Sequence, residues 1–187
     1  CGCVFLLEGY AFLYDRRHSI STTSDISSGS SLRQSLTVNM EEGSRAIILD
    51  SFSVGRIARG EKWLFKELAT DLKVIRSGNL ICGDRIRIQP EDWIPSGLGG
   101  LEGGNYAATM LLCAHDSIDW PETANTFTAW FSKVESPVGA ASALAAGGCL
   151  IRYYADSAPC LNESTDALWA MARCAILGQP PLDLRKK

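Results

Sequence analysis

The run LRQSLTVNMEEGSRAIILDSF, residues 32–52, is the stretch on which the fold turns. In its first nine residues Leu32, Leu36, Val38 and Met40 share one parity, and Arg33, Ser35, Thr37 and Asn39 share the other. A period of two puts the apolar set on one side of an extended chain, which defines a half-buried strand. Glu41, Glu42, Gly43 and Ser44 supply turn chemistry, and residues 46–52 follow as an apolar run with β-branched members, too short to prefer a helix. These two runs are expected to pair as a hairpin. Downstream, residues 72–76 and 80–88 flank Ser77, Gly78 and Asn79, a second hairpin whose turn residues tolerate positive φ. Between the hairpins, residues 61–68 can alternate, with Trp63 and Phe65 opposed to Leu64 and Leu68, and residues 106–114 read as a buried strand.

The period then changes. Ala124, Phe127, Phe131 and Val134 fall on one helical face, and Pro121 suits a first turn, so a helix is expected within residues 119–134. Residues 138–146 are rich in small side chains and compatible with strand or helix; Gly147 and Gly148 close them, and residues 149–154 read as another strand. A last helix carries Leu168, Met171, Ala172 and Ala175 on one face, with Asn162 or Ser164 as its cap. Gly178 stands just past its end, and Pro180 and Pro181 forbid continuation. Two stretches resist packing: residues 19–31, dominated by Ser and Thr and expected to be a loop or disordered insertion, and residues 95–105, a flexible glycine-rich connection. The sum is a mainly β chain with two α-helices in its C-terminal third.

A chain of 187 residues is long enough for one domain with a substantial core. A formal charge of -3 provides no broad basic field for a phosphate backbone, so nucleic acid is not an expected partner. The seven cysteines include no C-x-x-C pair, and most lie in apolar runs, as reduced thiols of a cytoplasmic protein do. No apolar run reaches the ~18 residues of a membrane span, and no basic segment precedes the apolar residues 4–7, so neither membrane nor secretion is expected. The first residue is not Met, and the chain reads as truncated at its N-terminus.

Parts for ordinary catalysis are scarce. His18 and His115 are the two histidines, too few for an imidazole metal cluster, and no G-x-S-x-G elbow occurs. Residues 55–62 approach the P-loop pattern, but Glu61 takes the lysine position, where a carboxylate would repel the phosphates the lysine must neutralise. Nucleotide binding is thereby excluded for this stretch. What stands out instead is a corner: Asp50, then Gly55 and Arg56, then Gly60, Glu61 and Trp63. Its plainest reading is a tight turn between strands fixed by an Arg–carboxylate pair.

With this spacing the chain resembles the UreD (UreH) family of urease accessory proteins, whose signature is an acid, a short run, then G-R-x-x-x-G-E and an aromatic. The resemblance extends over residues 32–184, through Arg33 and Gln34, through Asp84 and Arg85, and through Leu168 and Trp169 to Pro181. Residues 1–31 fit it poorly and form an atypical N-terminal segment beside a UreD-like domain at 32–187. The resemblance implies layered, helically wound β-sheets and a non-catalytic scaffold assisting nickel insertion into apo-urease. It implies urease, UreF and UreG as partners, with GTP entering only through the partner GTPase. No cofactor would be bound stably; nickel would be in transit along a polar internal route, for which Asp50, Glu61 and Asp84 are the candidate wall groups and metal contacts. The competing expectations are a β-rich interaction module unrelated to nickel and a hydrolase working through Asp50 and Glu61.

Overall fold

Strands that follow one another in this chain mostly do not pair with one another. A computed structural model describes residues 4–13, 18–24, 26–92, 101, 103–114 and 118–178, with the backbone alone for the first two segments. Strands β1 (Val4–Leu13), β3 (Ser31–Met40), β5 (Glu67–Arg76) and β6 (Asn79–Ile88) form one sheet in the order β1-β3-β5-β6. Strands β2 (His18–Ser24), β4 (Ala46–Ser53), β7 (Tyr106–Cys113), β8 (Val138–Leu144) and β9 (Gly148–Ala155) form the other, in the order β2-β4-β7-β9-β8. From β1 to β5 the chain alternates between sheets, so β1, β3 and β5 run parallel, as do β2 and β4. This is the layered, helically wound arrangement that the family resemblance implies.

The expected pairing of residues 32–40 with 46–52 is not what forms. Residues 41–45 carry the chain from one sheet to the other, with a turn closed by Ser44 N–H to Glu41 O at 3.1 Å. The apolar faces of β3 and β4 then meet across the layers: Val38, Met40, Ala46 and Ile48 share one buried cluster with Leu72, Val74 and Leu111. A face-to-face pair buries the same apolar parity as a hairpin would, so the pattern alone cannot separate the two. The second hairpin does form. β5 and β6 are antiparallel, and Ser77 and Gly78 turn at φ 49° and 78°, the two positive values that a tight two-residue connection needs.

Residues 19–24, expected in a loop, belong to β2 and lie in register with β4 from His18 opposite Ala46 to Ser24 opposite Phe52. Backbone bonding to a ready-made strand offsets an ordering cost that side-chain burial could not, and Thr22 and Thr23 suit extended geometry. Only the later part of the Ser-rich stretch turns, with Ser30 N–H bonding Ser27 O. Residues 61–66 are likewise not a strand, because Trp63 sits at φ 59°. Residues 93–100 and 102 of the glycine-rich connection lie outside the described residues, as do His115, Pro180 and Pro181.

Helix α1 (Trp120–Phe131) begins where its sequence indicates, with the Asp119 carboxylate accepting the Glu122 N–H at 2.9 Å and a proline in the first turn. It ends at Phe131, which leaves Val134 beyond the helix and exposed. Helix α2 (Ala158–Ala172) starts earlier than Asn162 or Ser164: Ser157 is the cap, and Ser164 donates back to Cys160 O at 2.6 Å. Pro159 explains the shift, since the first turn of a helix is where a missing N–H costs least. A π-helical turn (Arg173–Leu177) follows and stops at Gly178, φ 60°.

Both helices cover the back of the second sheet. Phe127, Phe131, Leu161, Leu168 and Ile176 pack on Met110, Leu112, Ile151 and Tyr153 in one cluster. The molecule is therefore three layers: sheet, sheet, helices. Cys82, Cys113, Cys149 and Cys160 are free thiols, and burial pushes Cys113 up to about 12 and Cys149 up to about 11, so neither of those two supplies a thiolate. No described helix is long and apolar enough to cross a membrane.

Candidate functional site

Two places concentrate polar chemistry, and the first is the corner after β4. Gly55 adopts φ 140°, and a Cβ there would lie 1.8 Å from the Glu61 carbonyl oxygen, so the close return of the chain requires glycine. A 3-10 turn (Ile57–Arg59) ends at Gly60, φ 74°, whose N–H bonds Ile57 O. Arg56 then meets Glu61 with both arms, Nε to Oε2 at 2.8 Å and Nη2 to Oε1 at 2.7 Å. Glu61 Oε2 also accepts the Ser28 N–H at 3.2 Å. Arg56 and then Ser28 hold this carboxyl below the usual range. Trp63 N–H donates to Val54 O, and the Trp63 ring lies 5.9 Å from that of Phe65. The signature residues from Gly55 to Trp63 thus form a bracket that ties residues 26–30 to the end of the sandwich.

The second place is the interior face between the two sheets. Successive strand residues alternate faces, and in each of six strands the inward parity is apolar except at one interior position. On β3 it is Gln34, between Leu32 and Leu36; on β4, Asp50, between Ile48 and Phe52; on β5, Thr70, between Leu68 and Leu72. On β6 it is Asp84, between Cys82 and Ile86; on β7, Thr109, between Ala107 and Leu111; on β9, Arg152, between Leu150 and Tyr154. In the second sheet these positions are in register, Thr22 opposite Asp50, Asp50 opposite Thr109, Thr109 opposite Arg152. In the first sheet Gln34 lies opposite Thr70, while Asp84 lies opposite Leu72, one inward position further along. A polar seam therefore crosses the sandwich between an apolar cluster around Val38 and Leu111 and another around Phe52 and Leu68.

Bonds across the layers stitch this seam. Gln34 Nε2 donates to Asp50 Oδ1 at 3.2 Å, and Arg152 Nη2 donates to Asp84 Oδ1. Around Asp50, with Gln34 and Thr70, the free space is a slot of about 10 Å³. At the other end the seam opens, through Thr109 and Arg152, into a cavity of about 860 Å³ between the β6 and β8 edges, whose walls include Phe52, Ile88, Val138 and Tyr154.

Of the three candidate carboxylates, the structure places Asp50 and Asp84 on the seam and Glu61 in the corner bracket. Asp84 pairs with Arg152 rather than its neighbour Arg85, which faces outward and bonds Asp71 at 2.8 Å. Among the described residues no three of His, Cys, Asp and Glu come close enough to enclose a metal ion. The hydrolase expectation, which needs two carboxylates facing one cleft, finds Asp50 and Glu61 occupied with different partners.

Sequence reading missed Arg152, Thr70, Thr109 and Glu67. The first three were legible as single polar breaks in an apolar parity once the strands' faces are known. Glu67, 7% exposed on the outward parity of β5, is gripped by Arg33 at 2.9 Å and Arg87 at 2.9 Å. Arg33 first, then Arg87, hold its carboxyl below the usual value against the opposing effect of burial. A depressed carboxyl stabilises the fold fully above its unfolded value of about 4.3 and loses that contribution as pH falls through the folded value. Both arginines are more than half exposed, so the effect is about 1 kcal/mol. Glu67→Gln is expected to be less stable than wild type at pH 7 and to converge with it below about pH 4, in urea melts across pH 3–7. A constant gap between the two would sink the assignment.

The described residues thus form a layered β-sandwich, backed by helices and crossed by a polar seam. The UreD urease accessory protein family model matches residues 26–187, from the loop that Glu61 holds to the end of the chain, and the chain belongs to that family. The urease accessory protein UreD of Deinococcus radiodurans is 29% identical over 164 residues, 84% of this chain and 54% of its own length. That of Haloarcula marismortui is 26% identical over 153 residues, 82% of this chain and 51% of its own. UreD 2 of Streptomyces griseus is 31% identical over 91 residues, 48% of this chain and 28% of its own. The chain thus spans about half the length, or less, of these curated relatives.

Proposed function

We propose that this chain acts in the cytoplasm as a non-catalytic urease maturation scaffold, binding apo-urease on one side and the UreF and UreG accessory proteins on the other while nickel passes along the inter-sheet seam. The observation that carries the reading is the seam itself, in a chain whose family is that of UreD: aligned polar groups span a sandwich whose flanks are apolar. Asp50 and Asp84 are oxygen donors, which hold borderline Ni²⁺ less tightly than clustered imidazoles or thiolates, and loose holding suits transfer rather than storage. Nickel is cargo here, no cofactor is bound stably, and GTP enters only through UreG. Glu61, bracketed by Arg56, serves the corner in this reading and not the route.

The test is capture of UreF, UreG and apo-urease from a urease-positive source by the folded chain, followed by nickel-dependent urease activation in the captured complex. Capture by wild type and by Asp50→Asn alike, with activation lowered in Asp50→Asn, is the expected result. A chain that melts cooperatively yet captures none of the three would leave only a β-rich interaction module unrelated to nickel. Equal activation by both would remove Asp50 from the route.

A further inference from the structure

The seam contains one charge of the wrong sign for a cation. Arg152 stands where the seam meets the large cavity, and its side chain is 55% exposed there, while that of Asp84, to which it bonds, is 10% exposed. Its position in the second sheet is next in register to Thr109, which is next to Asp50, so it caps the row rather than lying beside it. A water occupies about 30 Å³ of liquid, so the cavity of about 860 Å³ accommodates a divalent ion with its whole first water shell. The slot of about 10 Å³ at Asp50 holds no more than about one water, so an ion must shed most of its shell between the two places. Oxygen ligands have to replace that water, and the first buried carboxylate inward from the cavity is Asp84, already covered by a guanidinium.

We propose that Arg152 gates the seam: bonded to Asp84, its guanidinium occupies the cationic position at the cavity end, so a divalent ion gains Asp84 only when Arg152 is displaced. The proposal rests on the nickel-route reading above. Arg152 is a positioning residue whose work is competition. Its charge keeps Asp84 from retaining the ion in the resting chain, and its long stem on the open side lets it swing into the cavity without disturbing the β9 backbone. A partner presenting an acid at the cavity mouth would be able to draw it off.

The experiment uses the whole chain and nickel chloride alone, with Ni²⁺ affinity measured by equilibrium dialysis at pH 7.5 and thermal midpoints with and without the ion. Arg152→Met, which keeps the stem and removes the charge, is expected to bind one Ni²⁺ roughly tenfold or more tighter than wild type, and to gain midpoint temperature with the ion as ligand linkage requires. Arg152→Lys, which keeps the charge, is expected to stay near wild type. Asp84→Asn combined with Arg152→Met is expected to lose the gain. Arg152→Gln is made alongside, so that a Met variant that fails to fold leaves an uncharged variant to read. No tightening in the folded uncharged variant overturns the gate, as does tightening that survives Asp84→Asn. Neither outcome bears on the scaffold reading, which stands or falls on capture of UreF, UreG and apo-urease.

Discussion

Gly55→Ala is expected to cost about 4 kcal/mol or more, among the largest effects a single methyl can have, and to leave little soluble chain. Two causes add. At φ 140° an L-residue is strained wherever it sits, and here the new Cβ would lie 1.8 Å from the Glu61 carbonyl oxygen, a backbone atom that no side-chain rotation can move aside. Relief requires residues 61–63 to retreat, which breaks the Trp63 N–H to Val54 O bond and the two-armed Arg56–Glu61 pair. Gly60→Ala is the control. Gly60 also has positive φ, 74°, but its missing Cβ faces open space, so it is expected to lose only about 1–2 kcal/mol. Urea melts of the two variants decide the matter: equal losses would mean that left-handed backbone alone explains the corner, and that the close return at Glu61 is immaterial.

Phe127→Ala is the second large effect, an expected loss of about 3–5 kcal/mol. Phe127 is 1% exposed in the layer between α1 and the second sheet, among Phe131, Ile151 and Tyr153. Truncation removes its transfer energy and leaves a void that the flanking strands, fixed by their ladder bonds, fill only partly. Domains of this size are stable by about 5–15 kcal/mol, so one side chain carries a large share of the total. Val134→Ala, on the same helical face by sequence spacing but exposed beyond the helix end, is expected to stay within about 0.5 kcal/mol of wild type. Denaturant melts with both variants check this, and a Phe127→Ala loss under about 1.5 kcal/mol would show that the helix layer can collapse onto the sheet.

The corner is legible in the sequence alone, because its constraints are local: a glycine that only glycine can replace, and an Arg and a Glu five residues apart whose side chains meet across one turn. The same holds for α1, where Asp119, Pro121 and the spacing of Ala124, Phe127 and Phe131 each encode the helix within a few residues. The start of α2 lies several residues upstream of where its sequence suggests, because two plausible caps, Asn162 and Ser164, follow the true one, and Pro159 is the signal that outweighs them.

Alternating parity in residues 32–40 and 46–52 determined that both are strands with one buried face each; the spacing of apolar residues determined two C-terminal helices; and the Asp50 to Trp63 signature pointed to the family. Apart from the β5–β6 hairpin, which its turn residues announce, which strand lies beside which was decided only in three dimensions. β3 and β4 satisfy their apolar faces equally well as neighbours in one sheet or as opposites across a sandwich, and residues 19–24 become a strand only because β4 offers them a ladder. The seam is a tertiary object for the same reason. Gln34, Asp50, Thr70, Asp84, Thr109 and Arg152 are scattered over more than a hundred residues, each an ordinary polar break in its own strand. Asp50, Thr109 and Arg152 become one row of the second sheet facing Gln34 and Thr70 in the first, with Arg152 on Asp84 at the open end, because register between strands is set by packing and not by distance along the chain.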